Sequence, residues 1–405
     1  MLYTLSAFGG PQGHIGMMIK YFVVRRKEIT ENELIELNAF CQLLPGASST
    51  QLITLLGYKR GGYLLALLTF LIWISPACIL MGCLSFLLTD VNRVNKISFL
   101  FQFVEPMAIG FLLFAVFRSY KASIQSKQSL FLMIFGAVVL FIFFKSPWTI
   151  PLIIIISGIT SVFINKSNTT PIPKGKNAFK WCLLIVFAGL FLTVGYISEM
   201  SRSQKWSNRK TLNLIENNYR FGSLVFGGGD VLVPLMIDQY ITRPKNKRLI
   251  KRNPGIIILS REHLLSGYGF VKAIPGPVFS IATFVAGISL KNENTYNRIL
   301  GAILASIAIF LPGVLLIFIF YPIWRNYRSH KFVYRSLEGI TASVVGVMIS
   351  TVVYLTLDIT TLLTFNEVTL NVFIILLTFI LLQSKRIHPS LIVLITLVFS
   401  WVFNS

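Results

Sequence analysis

The chain has 405 residues, 54% of them hydrophobic and 13% charged, with a net charge of +22. Soluble proteins carry about 25% charged residues, and apolar runs longer than about 18 residues recur along this chain, so a soluble globular protein is excluded. An all-α polytopic membrane protein is expected, with basic loops that anchor it in the lipid bilayer rather than bind nucleic acid. The four cysteines form no C-x-x-C pair, so neither a metal nor a cofactor is expected.

Thirteen apolar stretches follow in chain order. The first six run over 2–24, 38–58, 63–88, 99–118, 130–144 and 148–164. A seventh, 179–197, follows a polar stretch that contains Pro171 and Pro173. The last six run over 221–240, 264–290, 299–323, 337–357, 369–384 and 388–403. The pairs 130–144 with 148–164 and 369–384 with 388–403 are short for full crossings.

The two sets of six resemble each other. Phe8-Gly9-Gly10-Pro11 opens the first, and Phe226-Gly227-Gly228-Gly229 stands near the start of the second. Pro45 precedes Gly57 by twelve residues, as Pro275 precedes Gly287. A proline then interrupts the third stretch of each set, at Pro76 and Pro312. This predicts a duplication: a first repeat over 1–164, a polar linker with a linking helix over 165–210, and a second repeat over 211–405. Six crossings plus one would invert the second repeat relative to the first, the plan of many secondary transporters. A re-entrant stretch such as 38–58 would change that count. The loops on the amino-terminal side hold the larger share of Lys and Arg, which predicts a cytoplasmic amino terminus.

Glycine and proline inside apolar segments carry the functional signal. In hydrocarbon a helix breaks only where protein, water or ligand satisfies its backbone. Breaks at Gly9-Gly10, Pro45-Gly46, Gly227-Gly228-Gly229 and Pro275-Gly276-Pro277 therefore suggest discontinuous helices around a polar cavity, with free N–H groups that favour anions. The bland reading is close helix packing through small residues. Ser48, Ser49, Thr50 and Gln51 fall on the first turn after one break, where they suit an oxyanion or simply cap a helix. Lys272, three residues before Pro275, is a candidate anion partner or a snorkelling lysine. Asp230 and His14 are candidates for proton coupling or structural hydrogen bonding.

With these motifs in view, the chain resembles the chromate ion transporters. FGGPQGHIG (8–16), QLLPGASSTQ (42–51) and LGYKRGG (56–62) look like the first half of that family. FGGGDVLVPLM (226–236), GYGFVKAIPGPVFSIATFVAG (267–287) and FLPG (310–313) look like its second half. The resemblance implies a two-domain transporter of a small inorganic oxyanion, chromate with sulfate as its close analogue, in the plasma membrane and usually proposed to be coupled to protons. Ala47 replaces the second proline of the first PGP, and Lys272 stands where glutamine is common. Two other readings stay open: a passive anion channel, and a polyprenyl-diphosphate phosphatase, whose PG-x-S-R-S stretch resembles Pro45–Ser49 without its arginine.

Overall fold

A computed structural model describes residues 10–91, 102–143, 149–164, 181–226, 229–245, 256–327, 331–360, 365–384 and 387–404. Gly9, Gly227 and Gly228 lie outside the described residues, as does the side chain of Asp230. Every described regular element is helical, which agrees with a polytopic membrane protein.

Helix α1 (Gly10–Met18) passes into a π-helical stretch, Ile19–Arg25. Helix α2 (Glu31–Leu43) starts on Thr30, whose hydroxyl accepts the Glu33 N–H, one of the donors a helix start leaves free. It ends because Pro45 cannot extend it: Leu44 is extended, with ψ 147°, as the residue before proline prefers. The chain restarts as α3 (Ser48–Val91), which folds back on itself at Gly61 and Gly62, where Gly62 has φ +66°. Its two legs, 48–60 and 63–91, run antiparallel. The Trp73 indole N–H donates to Thr50 Oγ1 at 3.1 Å, and a Cβ on Gly57 would meet Thr69 Oγ1 and the Leu65 carbonyl.

Helix α2 and the first leg of α3 form a hairpin with its tip at 44–47. Glu28 pairs with Arg60 at 2.8 Å and Glu33 with Lys59, which closes the open end. Phe40 and Tyr58, on opposite legs, both pack on Tyr321. The stretch 38–58, expected as a crossing, is thus re-entrant.

Helices α4 (Val104–Ser123), α5 (Lys127–Ile142) and α6 (Thr149–Ile164) complete the first half, and α7 (Trp181–Ser203) links it to α8 (Arg209–Leu224). Beyond Val225 the chain resumes at Gly229, runs through α9 (Leu232–Ile237) and again turns π-helical, Asp238–Thr242. This too folds back: Arg220 Nη2 donates to Gln239 Oε1 at 3.0 Å, and Phe221 packs on Tyr240. The stretch 221–240, expected as one crossing, is the tip of a second hairpin: α8 ends at Leu224, Val225 is extended with ψ 109°, and the chain from Gly229 packs back on α8.

The third hairpin pairs α10 (Arg261–Ala273) with α11 (Ile281–Ser289) across a tip at 274–277. Its cap, its break and its tip glycine match the first hairpin's, and a 3-10 turn, Val278–Ser280, leads into α11. Ser260 caps α10 as Thr30 caps α2, Ile274 is extended with ψ 154°, and Gly276 has φ +127° where Gly46 has φ +121°. Only glycine adopts that left-handed backbone without strain. A Cβ on Gly267 would meet the Phe284 ring, so the legs lie side by side and 264–290, likewise expected to cross, returns to its own end.

The long helix α12 (Thr295–Tyr327) carries Pro312, and α13 (Lys331–Thr360), α14 (Phe365–Gln383) and α15 (Pro389–Asn404) follow. The segments Trp181–Ser203, Thr295–Pro322 and Glu338–Leu357 are long and apolar enough to cross a membrane. Both pairs expected to be short are short helices, Lys127–Ile142 and Leu152–Phe163, Glu367–Gln383 and Pro389–Val402.

The halves interlock reciprocally. The first hairpin's second leg runs parallel to α12, from Gly46 beside Gly313 to Tyr58 beside Phe318. The third hairpin's second leg runs parallel to α3, from Gly276 beside Ala77 to Gly287 beside Ser85. Each tip glycine thus meets the residue that follows the other half's mid-helix proline, Pro312 or Pro76. Because the two legs of α3 are antiparallel, the hairpins open towards opposite ends of the bundle. Small residues allow the close contacts: α5 and α6 pack on α13 at Gly136, Gly346 and Gly339, and α4 on α14 at Gly110. Arg298 ties the halves further, donating to the carbonyls of Gly287 and Ser85 and to Thr89 Oγ1 at 2.7, 2.8 and 2.9 Å. This geometry sets Arg243 and Lys245 at the end opposite Lys59 and Arg60. The sequence expectation placed both groups on one side, so the basic excess behind the cytoplasmic amino terminus is reduced.

Candidate functional site

The three tips meet inside the bundle. The Gly46 N–H donates to the Val225 carbonyl at 2.7 Å, joining the first tip to the glycine run. A Cβ on Gly229 would lie 2.6 Å from Val278 Cβ, so the same run also abuts the third tip. Pro45, Gly46, Ser48, Ser49, Thr50 and Gln51 are buried together at the first tip, and Pro275, Gly276 and Pro277 at the third.

At each tip one helix ends and another begins, so a negative and a positive dipole end fall close together. Side chains quench the carbonyl ends. Gln51 Nε2 donates to the Pro45 carbonyl at 2.9 Å and to that of Gly313 at 3.3 Å, and Ser390 Oγ to that of Ala273 at 2.6 Å. The first-turn N–H groups of Ser48, Ser49 and Thr50 have no partner within their own helix. The balance left at the tips is positive, without a full charge.

His14 is 1% exposed and meets the Trp73 ring edge-on at 5.0 Å. Since Trp73 in turn holds Thr50, a continuous contact runs from α1 to the first tip. Gly10 starts α1. Gly229 and the backbone of Asp230 form the restart of the glycine-run hairpin. Lys272 belongs to the last turn of α10, half-buried, with Nζ 5.0 Å from the centre of the Tyr268 ring; it is on the third hairpin, whereas Ser48–Thr50 are on the first. An aromatic row, Phe70–Phe310–Phe279, with ring centres 6.1 and 5.9 Å apart, bridges the two proline tips.

Sequence reasoning missed Trp73, Gly313 and Val225. The repeated mid-helix prolines were a usable signal for Gly313, because the residue after each one is where the opposite tip docks. Nothing local marked Trp73 or Val225.

The profile of the chromate transporter family matches residues 1–162 and 212–401. The chain belongs to that family. An uncharacterized transporter of Methanocaldococcus jannaschii is 23% identical over 402 residues, covering 98% of this chain and 91% of that protein. A chromate transport protein of Pseudomonas aeruginosa is 21% identical over 369 residues, 87% of this chain and 78% of that protein. The uncharacterized transporter YwrB of Bacillus subtilis is 29% identical over 181 residues, 44% of this chain but 81% of that protein. No solved structure matches. As a chromate transporter family member the chain is an integral membrane protein of a transport family with an inorganic oxyanion as substrate.

Proposed function

We propose that this protein is a secondary active transporter of a tetrahedral oxyanion, chromate or its analogue sulfate, in the plasma membrane. It is built as two inverted repeats, 1–164 and 211–405, joined by the linker and linking helix of 165–210. The observation that carries this reading is the pair of opposed hairpins, whose tips meet inside the bundle with the N-terminal ends of their second legs directed there. Opposed re-entrant tips suit alternating access, since each repeat can open its own side around one fixed site. The half-length relative YwrB supports the duplication.

The anion is held between the glycine breaks at 9–10, 227–229 and 276, with the first-turn N–H groups and hydroxyls of Ser48, Ser49 and Thr50 as neutral donors, while Gly46 and Gln51 keep the first tip in shape. Pro45, Pro275 and Pro277 hold the breaks open, and Lys272 neutralises part of the charge from the neighbouring leg. Asp230, at the glycine run, and His14, behind Trp73, carry the coupling proton. The aromatic row Phe70–Phe310–Phe279 supports a gated carrier over an open anion channel.

Uptake of labelled chromate and sulfate into proteoliposomes, with and without an imposed pH gradient, tests the reading. Saturable uptake accelerated by the gradient is expected, with Asp230→Asn losing the acceleration and Lys272→Gln weakening uptake. Non-saturable, gradient-independent flux would instead establish a channel.

A further inference from the structure

The third hairpin carries one hydroxyl where the first carries several. Counted from the tip prolines, Val278, Phe279 and Ser280 stand where Ser48, Ser49 and Thr50 stand. The two equivalent hydroxyls are treated differently. Thr50 Oγ1 accepts the Trp73 indole N–H. Counted from the mid-helix prolines, the position of Trp73 is taken in the second half by Ile309, which has nothing to donate.

Ser280 is 0% exposed, and its Oγ has no hydrogen-bond partner among the described residues. It stands at the N-cap of α11 yet makes no capping bond with its side chain, and its backbone N–H is spent on the Pro277 carbonyl at 3.0 Å. Ser157, Ser266 and Ser350 also carry buried hydroxyls without a partner among the described residues; the place of Ser280 distinguishes it. Here it sits at the positive end of a nine-residue helix, beside Val278, which the glycine run touches, and Phe279, which meets the aromatic row.

We propose that Ser280 is the third hairpin's direct ligand for the transported oxyanion, donating its O–H to an anion oxygen that the first hairpin's donors do not reach. The assignment rests on the reading of the tips as an oxyanion site and adds a residue to it. A neutral donor from the second repeat joins the neutral donors of the first and the single charge of Lys272, so neither repeat holds the anion alone and release to either side stays easy.

The test uses the full-length protein in proteoliposomes, with chromate and sulfate uptake measured over a concentration series. Ser280→Ala is expected to raise KM about fivefold to tenfold, the loss of one neutral hydrogen bond, with little change in maximal rate. Ser280→Thr, which keeps the hydroxyl, restores a KM near that of the unaltered protein. Ser350→Ala, removing another buried unpartnered hydroxyl on α13, leaves KM unchanged. If alanine at 280 does not yield monodisperse protein, Ser280→Cys supplies the same readout with a weaker donor. An unchanged KM in Ser280→Ala, or an equal rise in Ser350→Ala, overturns the assignment while oxyanion transport stands. An unaltered protein that moves neither anion overturns the underlying reading and the assignment with it.

Discussion

The first and third hairpins share a backbone but not a surface. Both start on a hydroxyl cap, break at an extended residue before proline, pass through a left-handed glycine and restart as a helix. Around that frame the first tip carries Ser48, Ser49, Thr50 and Gln51, with its amide and hydroxyl tied to Gly313 and Trp73. The third tip carries Val278 and Phe279, and its one hydroxyl is left untied. The two hairpins thus share what the backbone requires and differ in their lining. The first tip is pinned by its own side chains, Gln51 and Thr50, whereas the third is held by side chains that reach it from other helices, Ser390 and Arg298.

Unequal pinning implies unequal responses to substitution. The largest effect is expected from Arg298→Met, which removes the three hydrogen bonds that tie the third hairpin to α3. A hydrogen bond from a charged donor is worth about 1.5–3 kcal/mol, so the loss is read as a fall in thermal unfolding temperature in detergent, and uptake should fall with it. Unaltered stability would mean that the halves are not joined there.

Gly276→Ala comes next. Its Cβ would lie 2.5 Å from Ala77 Cβ on a backbone of φ +127°, at a cost of about 1–3 kcal/mol. Adding Ala77→Gly should recover the steric part but not the backbone part. The double variant is therefore expected to lie between Gly276→Ala and the unaltered protein, and failure to recover would show that the tip does not dock on Ala77. The smallest effect is expected from Trp73→Phe, which removes one hydrogen bond at the first tip for about 1 kcal/mol. Transport should survive it, and a complete loss would show that Thr50 needs the indole for more than positioning.

Much of the frame was legible in the sequence, because helix breaks are chemical events at named residues. Proline lacks an N–H and forces its predecessor to extend, and glycine alone tolerates φ near +120°, so the breaks at Pro45-Gly46 and Pro275-Gly276 needed no tertiary information. What the chain does after a break was not legible. At 38–58, 221–240 and 264–290 an apolar segment with a central break reads equally well as an unwound crossing or as a hairpin, since both bury the same residues at the same spacing.

The sequence by itself determined membrane residence, the repeated spacing of the breaks, the places where helices stop and the family. Those follow from composition, from repeated spacing and from local backbone chemistry. Only the tertiary structure decided that the broken segments return to the end they came from, that each tip docks after the other half's proline, and that Thr50 is held while Ser280 is not. These depend on contacts between residues far apart in the chain, such as Gly46 with Gly313 and Gly276 with Ala77, and no local pattern encodes which partner fills the space beside a glycine.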